Sequence, residues 1–280
     1  IAARRSAVVP RGGAFARLRI EDLAAPVLQA CLFDAGLAPD AVDEVILSNA
    51  LGAGGNPARR VALAAGLPER VAGLSTDRQC AGGLDAILLA RALVDSGAAE
   101  IVLAGGVESY SRRPLRLATD PDGGPPQPYD EAPFTPWPER DPGMTKAAAA
   151  LADRLGISRE RQEGWARASH AKSAQIEHWP EIVPLAGVSR DAFPRLLSPA
   201  LLARAKVLAG SITSATAAVA ADGAAVCLVV SDRIAQGRGL AILDGATLGA
   251  APEEPGLAPL AAIRRIWRGE ALAQAEIMEA

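Results

Sequence analysis

The chain has 280 residues, of which half are hydrophobic and 22% charged; this excludes disorder as its main state and allows one large or two ordinary domains. Twenty-nine basic against 32 acidic residues give a formal net charge of −3, so the charge balance does not mark a nucleic-acid partner. Aromatic residues make up only 4%, so Ala, Val and Leu must build the core, which suits helices packed tightly on a sheet. The longest uncharged run, residues 207–221, is rich in Ser, Thr and Gly, and no segment reads as a bilayer span. Three widely spaced cysteines without a C-x-x-C fit neither a disulfide framework nor a metal site, and point to a reducing, cytoplasmic setting. No signal peptide is read, and the start at Ile1 and stop at Ala280 suggest an excerpt of a longer polypeptide.

Residues 20–36 carry apolar side chains at helical spacing and end in Gly36, which predicts a helix closed by a glycine cap. Residues 42–49 predict a short strand, and 56–65 a helix closed by Gly66 and Pro68. An apolar helix is predicted over 84–96, closed by Gly97, and a buried strand over 100–104 that runs into Gly105 and Gly106. This order predicts a layered α/β domain with a largely parallel sheet. Eight of the 21 prolines then fall within residues 119–142, an irregular excursion longer than an ordinary connection. Helices follow over 145–155 and 158–175, the second with Ser158 as its N-cap, and near 199–205. The apolar strand 224–230 returns to the core, so residues 112–205 read as an insertion between two strands of one sheet. A further strand is expected from Leu240 and a helix from 259 to 268.

Cys80 stands in D-R-Q-C-A-G-G, just before the apolar helix. Unpaired N–H groups and the positive end of the helix dipole at such a place stabilise a thiolate, and Gly82 and Gly83 allow close approach. These residues suit a nucleophile that carries an acyl group as a thioester, and equally a buried structural cysteine. Cys31 and Cys227 lie in apolar helix and strand and read as small buried hydrophobes. Gly105, Gly106, Glu108 and Ser109 follow a buried strand, where α/β sheets place ligands, although simple turn geometry would look the same. No dinucleotide or P-loop glycine pattern follows a strand. Neither His170 nor His178 has a claim as a catalytic base; both read as exposed or half-exposed. Arg112, Arg113 and Arg116 would suit a phosphate or adenine nucleotide, or a solvated face.

Six segments in order resemble the thiolase family of acyl-CoA acyltransferases. They are N-P-A-R-R-V-A-L-A-A-G-L-P at 56–68, D-R-Q-C-A-G-G-L-D-A at 77–86, A-G-G-V-E-S-Y-S at 104–111, G-I-S-R-E-R-Q-E-G-W-A-R-A-S at 156–169, E-I-V-P-L at 181–185 and A-D-G-A-A at 221–225. The resemblance implies an α/β fold with a layered αβαβα core of two similar halves and a loop-domain insertion, the second half being incomplete here. Residues 1–111 plus 206–232 would form the first half with the nucleophile, 112–205 the loop domain over the active site, and 233–280 the start of the second half. It implies a homodimer or homotetramer and ping-pong chemistry, in which Cys80 exchanges acyl groups between CoA thioesters, with backbone N–H groups including its own holding the oxyanion. Coenzyme A and acyl-CoA would be substrates, and no tightly bound cofactor is expected.

The departures from the pattern matter as well. Gly143 keeps the second position of a Met-Gly pair that lines the acyl pocket, with Pro142 in place of the Met. Ser214 lies in the stretch that meets CoA, and Ala218 stands where a Ser commonly touches the pantetheine. Met278 stands where an Asn holds a catalytic water, and the family's second Cys and catalytic His belong to motifs that would follow Ala280. If these residues are the whole gene product, an inactive protein is expected. A ketoacyl synthase-like condensing enzyme and a degenerate acyl-CoA-binding subunit are the alternatives, the former disfavoured by the long insertion with S-R-E-R-Q.

Overall fold

A computed structural model describes residues 1–267. In chain order it contains β1 (Ala2–Arg5), β2 (Val9–Pro10), α1 (Ile20–Ala35), β3 (Glu44–Ser48), α2 (Pro57–Ala64), β4 (Ala72–Thr76), α3 (Gly82–Asp95) and β5 (Ile101–Ser109). Next come β6 (Arg116–Ala118), β7 (Gln127–Tyr129), α4 (Met144–Arg154), α5 (Arg159–Ala174), α6 (Pro199–Ala203), β8 (Val207–Ala209) and β9 (Ile212–Thr213). The described chain closes with β10 (Ala221–Val230), α7 (Asp232–Ala235) and α8 (Ala258–Ile266). Local chemistry sets several of these limits. Asn56 caps α2 by accepting from the Arg59 N–H at 3.1 Å, Ser158 caps α5 through the Arg161 N–H at 3.3 Å, and Gly36 closes α1 at φ +67°.

The chain divides into two compact units. The first, residues 1–114, 177–193 and 219–241, is built on one sheet of order β1-β10-β5-β3-β4, with β2 also on β10. Period-two alternation gives that sheet two apolar faces. Val45, Leu47, Leu103, Val107, Val226 and Leu228 join the residues of α1 and α2 in one core. Ile46, Val102 and Ala104 alternate with them and are buried on the other side, where α3 lies with Ala86 and Ala90. Leu84 and Leu89 point outward from α3 and are exposed among the described residues.

The sheet is mixed, which corrects the expectation of a largely parallel one. β3 is parallel to β4 and β5, whereas β10 is antiparallel to β1, β2 and β5. Apolar character marks a strand as buried but carries no direction, and the long excursion between β5 and β10 permits either sense. Gly105 and Gly106 do not form a turn, for β5 continues through them to Ser109, paired with β10 along its whole length. The strand expected from Leu240 does not form; among the described residues nothing pairs with 240–250, and Leu240 and Leu243 are exposed.

Residues 177–193 pack with the first unit, although the sequence reading placed them in the insertion. The Arg5 N–H donates to Glu181 O at 3.0 Å, the Val183 N–H donates to Arg5 O at 2.8 Å, and the Arg5 guanidinium pairs with Asp191 and Glu181. Ile182 of the E-I-V-P-L segment is thereby buried in the main core. The second unit comprises, among the described residues, 115–176, 194–218 and 242–267. It holds the β6–β7 and β8–β9 hairpins, α4 to α6, and a small core of Leu197, Leu202 and Ala215. Among the described residues no helix is long and apolar enough to cross a membrane.

Two thiols belong to the body of the first unit. Cys31 on α1 is fully buried and donates to Val226 O at 3.3 Å, and burial pushes its pKa up to about 12. Burial likewise raises Cys227 on β10, to about 11. Below pH 9 these thiols are protonated whether the chain is folded or not; above it the unfolded chain ionises first, so their contribution to stability is lost as pH rises. Urea unfolding between pH 9 and pH 11 is expected to show falling stability. Cys31→Ala should make that slope shallower by up to about 1.4 kcal/mol per pH unit.

Candidate active site

Cys80 follows β4 at the carboxyl end of the parallel strands, the side of an α/β sheet where ligands bind. The Asp77 carboxylate accepts from the Gln79 N–H at 2.8 Å, and Gln79 takes a left-handed conformation, φ +49°. One 3-10 turn over Gln79–Ala81 then leads straight into α3. Cys80 sits in that turn and is exposed, so the reading of a buried structural cysteine is removed. Arg78 and Asp85 form an ion pair that brackets the thiol in sequence, with the Asp85 carboxylate largely buried in the first turn of α3.

Small residues hold this helix start against the sheet. A Cβ on Gly82 would stand 2.8 Å from Ser48 Cβ, inside any normal contact. One on Gly106 would meet Ser48 O at 3.3 Å and Gly83 Cα at 3.9 Å. Gly82, Gly83 and Gly106 therefore let β3, β5 and the start of α3 approach closely, while Gly105 lies against the backbone of β10.

The loop after β3 is fixed by Glu108 of β5. Its carboxylate accepts from the Ala50 and Leu51 N–H groups and from Asn49 Nδ2. Asn49 Oδ1 in turn accepts from the N–H groups of Gly52 and Ala53 at 3.1 and 2.9 Å. In the sequence Glu108 had stood only as a residue beyond a strand; here it is the clamp of a neighbouring loop. Ser109 Oγ donates to Leu18 O at 3.0 Å.

The second unit holds Gly143, Ser214 and Ala218. Gly143, φ +70°, precedes the first turn of α4. Ser214 lines a concavity of about 270 Å³ with Arg195, Leu201, Arg204, Ala205 and Ala215. Ala218 is exposed four residues farther on, past a compact turn in which the Ala217 N–H donates to Thr213 O at 3.0 Å. His170 is half-buried; its Nδ1 accepts from the Arg195 N–H at 3.2 Å, and burial, then the Arg195 charge, lowers its pKa. His178 is exposed, and Met278 lies outside the described residues. The sequence reading missed Arg195, Arg204 and the Arg78–Asp85 pair. Asp85 carried a signal, as an acid within an apolar helix; the two arginines carried none among so many. Among the described residues no group of three or more His, Cys, Asp or Glu is placed to hold a metal ion.

Fold and site thus define a mixed α/β protein that presents an exposed thiol at a glycine-packed helix start. The sequence profile of the thiolase N-terminal domain matches residues 1–233. A Bacillus subtilis (strain 168) protein with the provisional name acetyl-CoA C-acetyltransferase YhfS is 38% identical over 260 residues, 88% of this chain and 67% of its own. VraB of Staphylococcus epidermidis, likewise provisionally named an acetyl-CoA C-acetyltransferase, is 33% identical over 97% of this chain and 76% of its own. The crystal structure of the Bacillus anthracis acetyl-CoA acetyltransferase matches with a TM-score of 0.81 and 32% identity, over 94% of this chain and 74% of that one. The chain belongs to the thiolase family.

The packing at Gly82 gives a direct test. Gly82→Ala is expected to cost about 1–3 kcal/mol in chemical denaturation, the usual range for overpacking. Gly83→Ala, whose added Cβ would come no nearer than 4.0 Å to Gly105 C, should be much milder.

Proposed function

We propose that this chain carries out thiolase-type acyl transfer between CoA thioesters through a thioester on Cys80. The observation that carries the reading is an exposed thiol at the start of α3, while the other two thiols are held protonated by burial. Cys80 Sγ adds to the acyl carbonyl carbon of an acyl-CoA, the bond from that carbon to the CoA sulfur breaks, and the thiol proton leaves on CoA. In thiolysis of a 3-ketoacyl-CoA the bond broken is the carbon–carbon bond, and acetyl-CoA departs with a proton on its former carbanion. The acyl group then passes to the sulfur of a second CoA or, in Claisen condensation, to C2 of a second acetyl-CoA, which gives up a proton there; either transfer breaks the Cys80 thioester and regenerates the thiol. The Cys80 N–H is a donor for the oxyanion in each tetrahedral intermediate. The two guanidiniums and Ser214 of the second unit's concavity suit the anionic part of CoA, because planar arginine forks match phosphate oxygens.

A second reading, an acyl-CoA-binding subunit without turnover, is favoured by Ala218, which offers no hydroxyl to the pantetheine. One experiment serves both. After incubation with acetyl-CoA, peptide mass spectrometry is expected to find acetyl on Cys80, and Cys80→Ala should abolish it. An unlabelled Cys80 in protein that binds acetyl-CoA by calorimetry would overturn the first reading in favour of the second.

The homodimer implied by the resemblance has a candidate surface in β4, the sheet's edge strand. Its A-G-L-S-T sequence contains none of the charges or prolines that protect edges, and Leu74 is exposed. Two copies pairing antiparallel about a two-fold axis would cover it. Sedimentation is expected to show a dimer that Leu74→Lys shifts toward monomer; an unchanged mass would exclude this edge.

A further inference from the structure

Arg112 and Arg113 have no part in the proposed acyl transfer, yet the first unit gathers other arginines around them. Residues 11–19 are tied to the turn after β5. The Gly12 N–H donates to Ser111 Oγ at 2.9 Å, and Arg112 Nη1 donates to Arg17 O at 3.3 Å. Tyr110 lies between these segments as a platform. The Arg113 guanidinium stands 4.7 Å from its ring centroid and that of Arg11 5.9 Å, while Arg113 Nη1 also donates to Tyr110 O at 3.2 Å. Arg19 adds a fourth guanidinium, beside Arg112 through their common neighbour Asp22.

Asp22 is engaged with Arg19, and Asp222 is 1% exposed beneath the surface, accepting from the Ser111 N–H at 2.8 Å and from Ser111 Oγ at 2.5 Å. Among the described residues, the guanidiniums of Arg11, Arg19, Arg112 and Arg113 thus gather here, with exposed Arg17 on the same segment, beside the exposed Asp22 carboxylate and the largely buried Glu21, which is paired with Arg60, on a chain whose formal net charge is −3. Like charges held together by main-chain hydrogen bonds and ring stacking repel one another, and an anionic partner would relieve that repulsion. Arg11, Arg17, Arg19 and Arg112 are exposed, so the face is open rather than enclosed. An open array of arginine forks suits several carboxylates spread along a partner better than one phosphate group. Arg and Tyr are also the side chains that most often anchor protein interfaces, and pre-ordering by stacking lowers the entropy lost on binding.

We propose that the arginine face around Tyr110 is a docking surface for an acidic protein segment. It is independent of the acyl-transfer reading and does not involve Cys80. The test is fluorescence anisotropy of a labelled oligoglutamate peptide with the whole chain. Two triple variants of equal charge change are compared: Arg11→Gln, Arg17→Gln, Arg112→Gln on this face, and Arg161→Gln, Arg167→Gln, Arg264→Gln elsewhere. Both are checked for native circular dichroism. The proposal expects the first set to weaken binding roughly tenfold or more and the second less than about twofold, with binding weakened by added salt. Equal loss in both variants, or no peptide binding, would overturn it. So would tighter binding of inorganic tripolyphosphate, or of vesicles containing phosphatidylserine, with the same dependence on Arg11, Arg17 and Arg112.

Discussion

The first unit depends on how closely α3 can come to the sheet. The Ser48 side chain of β3 lies directly on Gly82 of α3, and Gly106 of β5 lies close to Ser48 O and Gly83 Cα, which leaves no room for an added side chain at Gly82. A helix resting on large side chains would begin several ångströms farther out, and the turn with Cys80 would move with it. The same contact makes β5 unbroken where the sequence suggested a turn. Its glycines are needed inside the strand because Gly105 faces the backbone of β10 and Gly106 that of β3.

That packing separates the three cysteines by environment. Cys31 and Cys227 are built into α1 and β10, where an ionised sulfur would lose its hydration, so both stay protonated well past neutral pH. Cys80 is outside the core, in a turn held by Asp77 below and by the Arg78–Asp85 pair across it. The neighbouring loop is fixed by Glu108 and Asn49, so both loops at this end of the sheet are held by side chains rather than left to fluctuate.

Much of this was legible in the residues. The helices 20–36, 56–65 and 84–96 declared themselves by apolar spacing and closing glycines, and Cys80 by its place between a polar approach and an apolar helix. β4 was missed because A-G-L-S-T is short and half polar; only its ladder with β3 makes it a strand. Strand direction and the fate of Gly105 depended on partners far along the chain, as did the return of residues 177–193 to Arg5. Leu240 failed in the opposite sense: its apolar run has strand character, but among the described residues it has no ladder to join. The concavity with Ser214 was half legible, since the motif marked the serine while the guanidiniums beside it came from the C-cap of α6 and the segment before that helix.

The central claim is that one thiol of the three is the acyl carrier, and its most direct test is site-mapped alkylation with iodoacetamide at about pH 7.5, where a buried thiol is inert and an accessible one reacts. The account predicts modification at Cys80 alone, slowed by prior incubation with acetyl-CoA, with Cys31 and Cys227 unmodified until the protein is unfolded. Comparable labelling of Cys31 or Cys227 in the folded protein, or alkylation of Cys80 that acetyl-CoA does not slow, would contradict it.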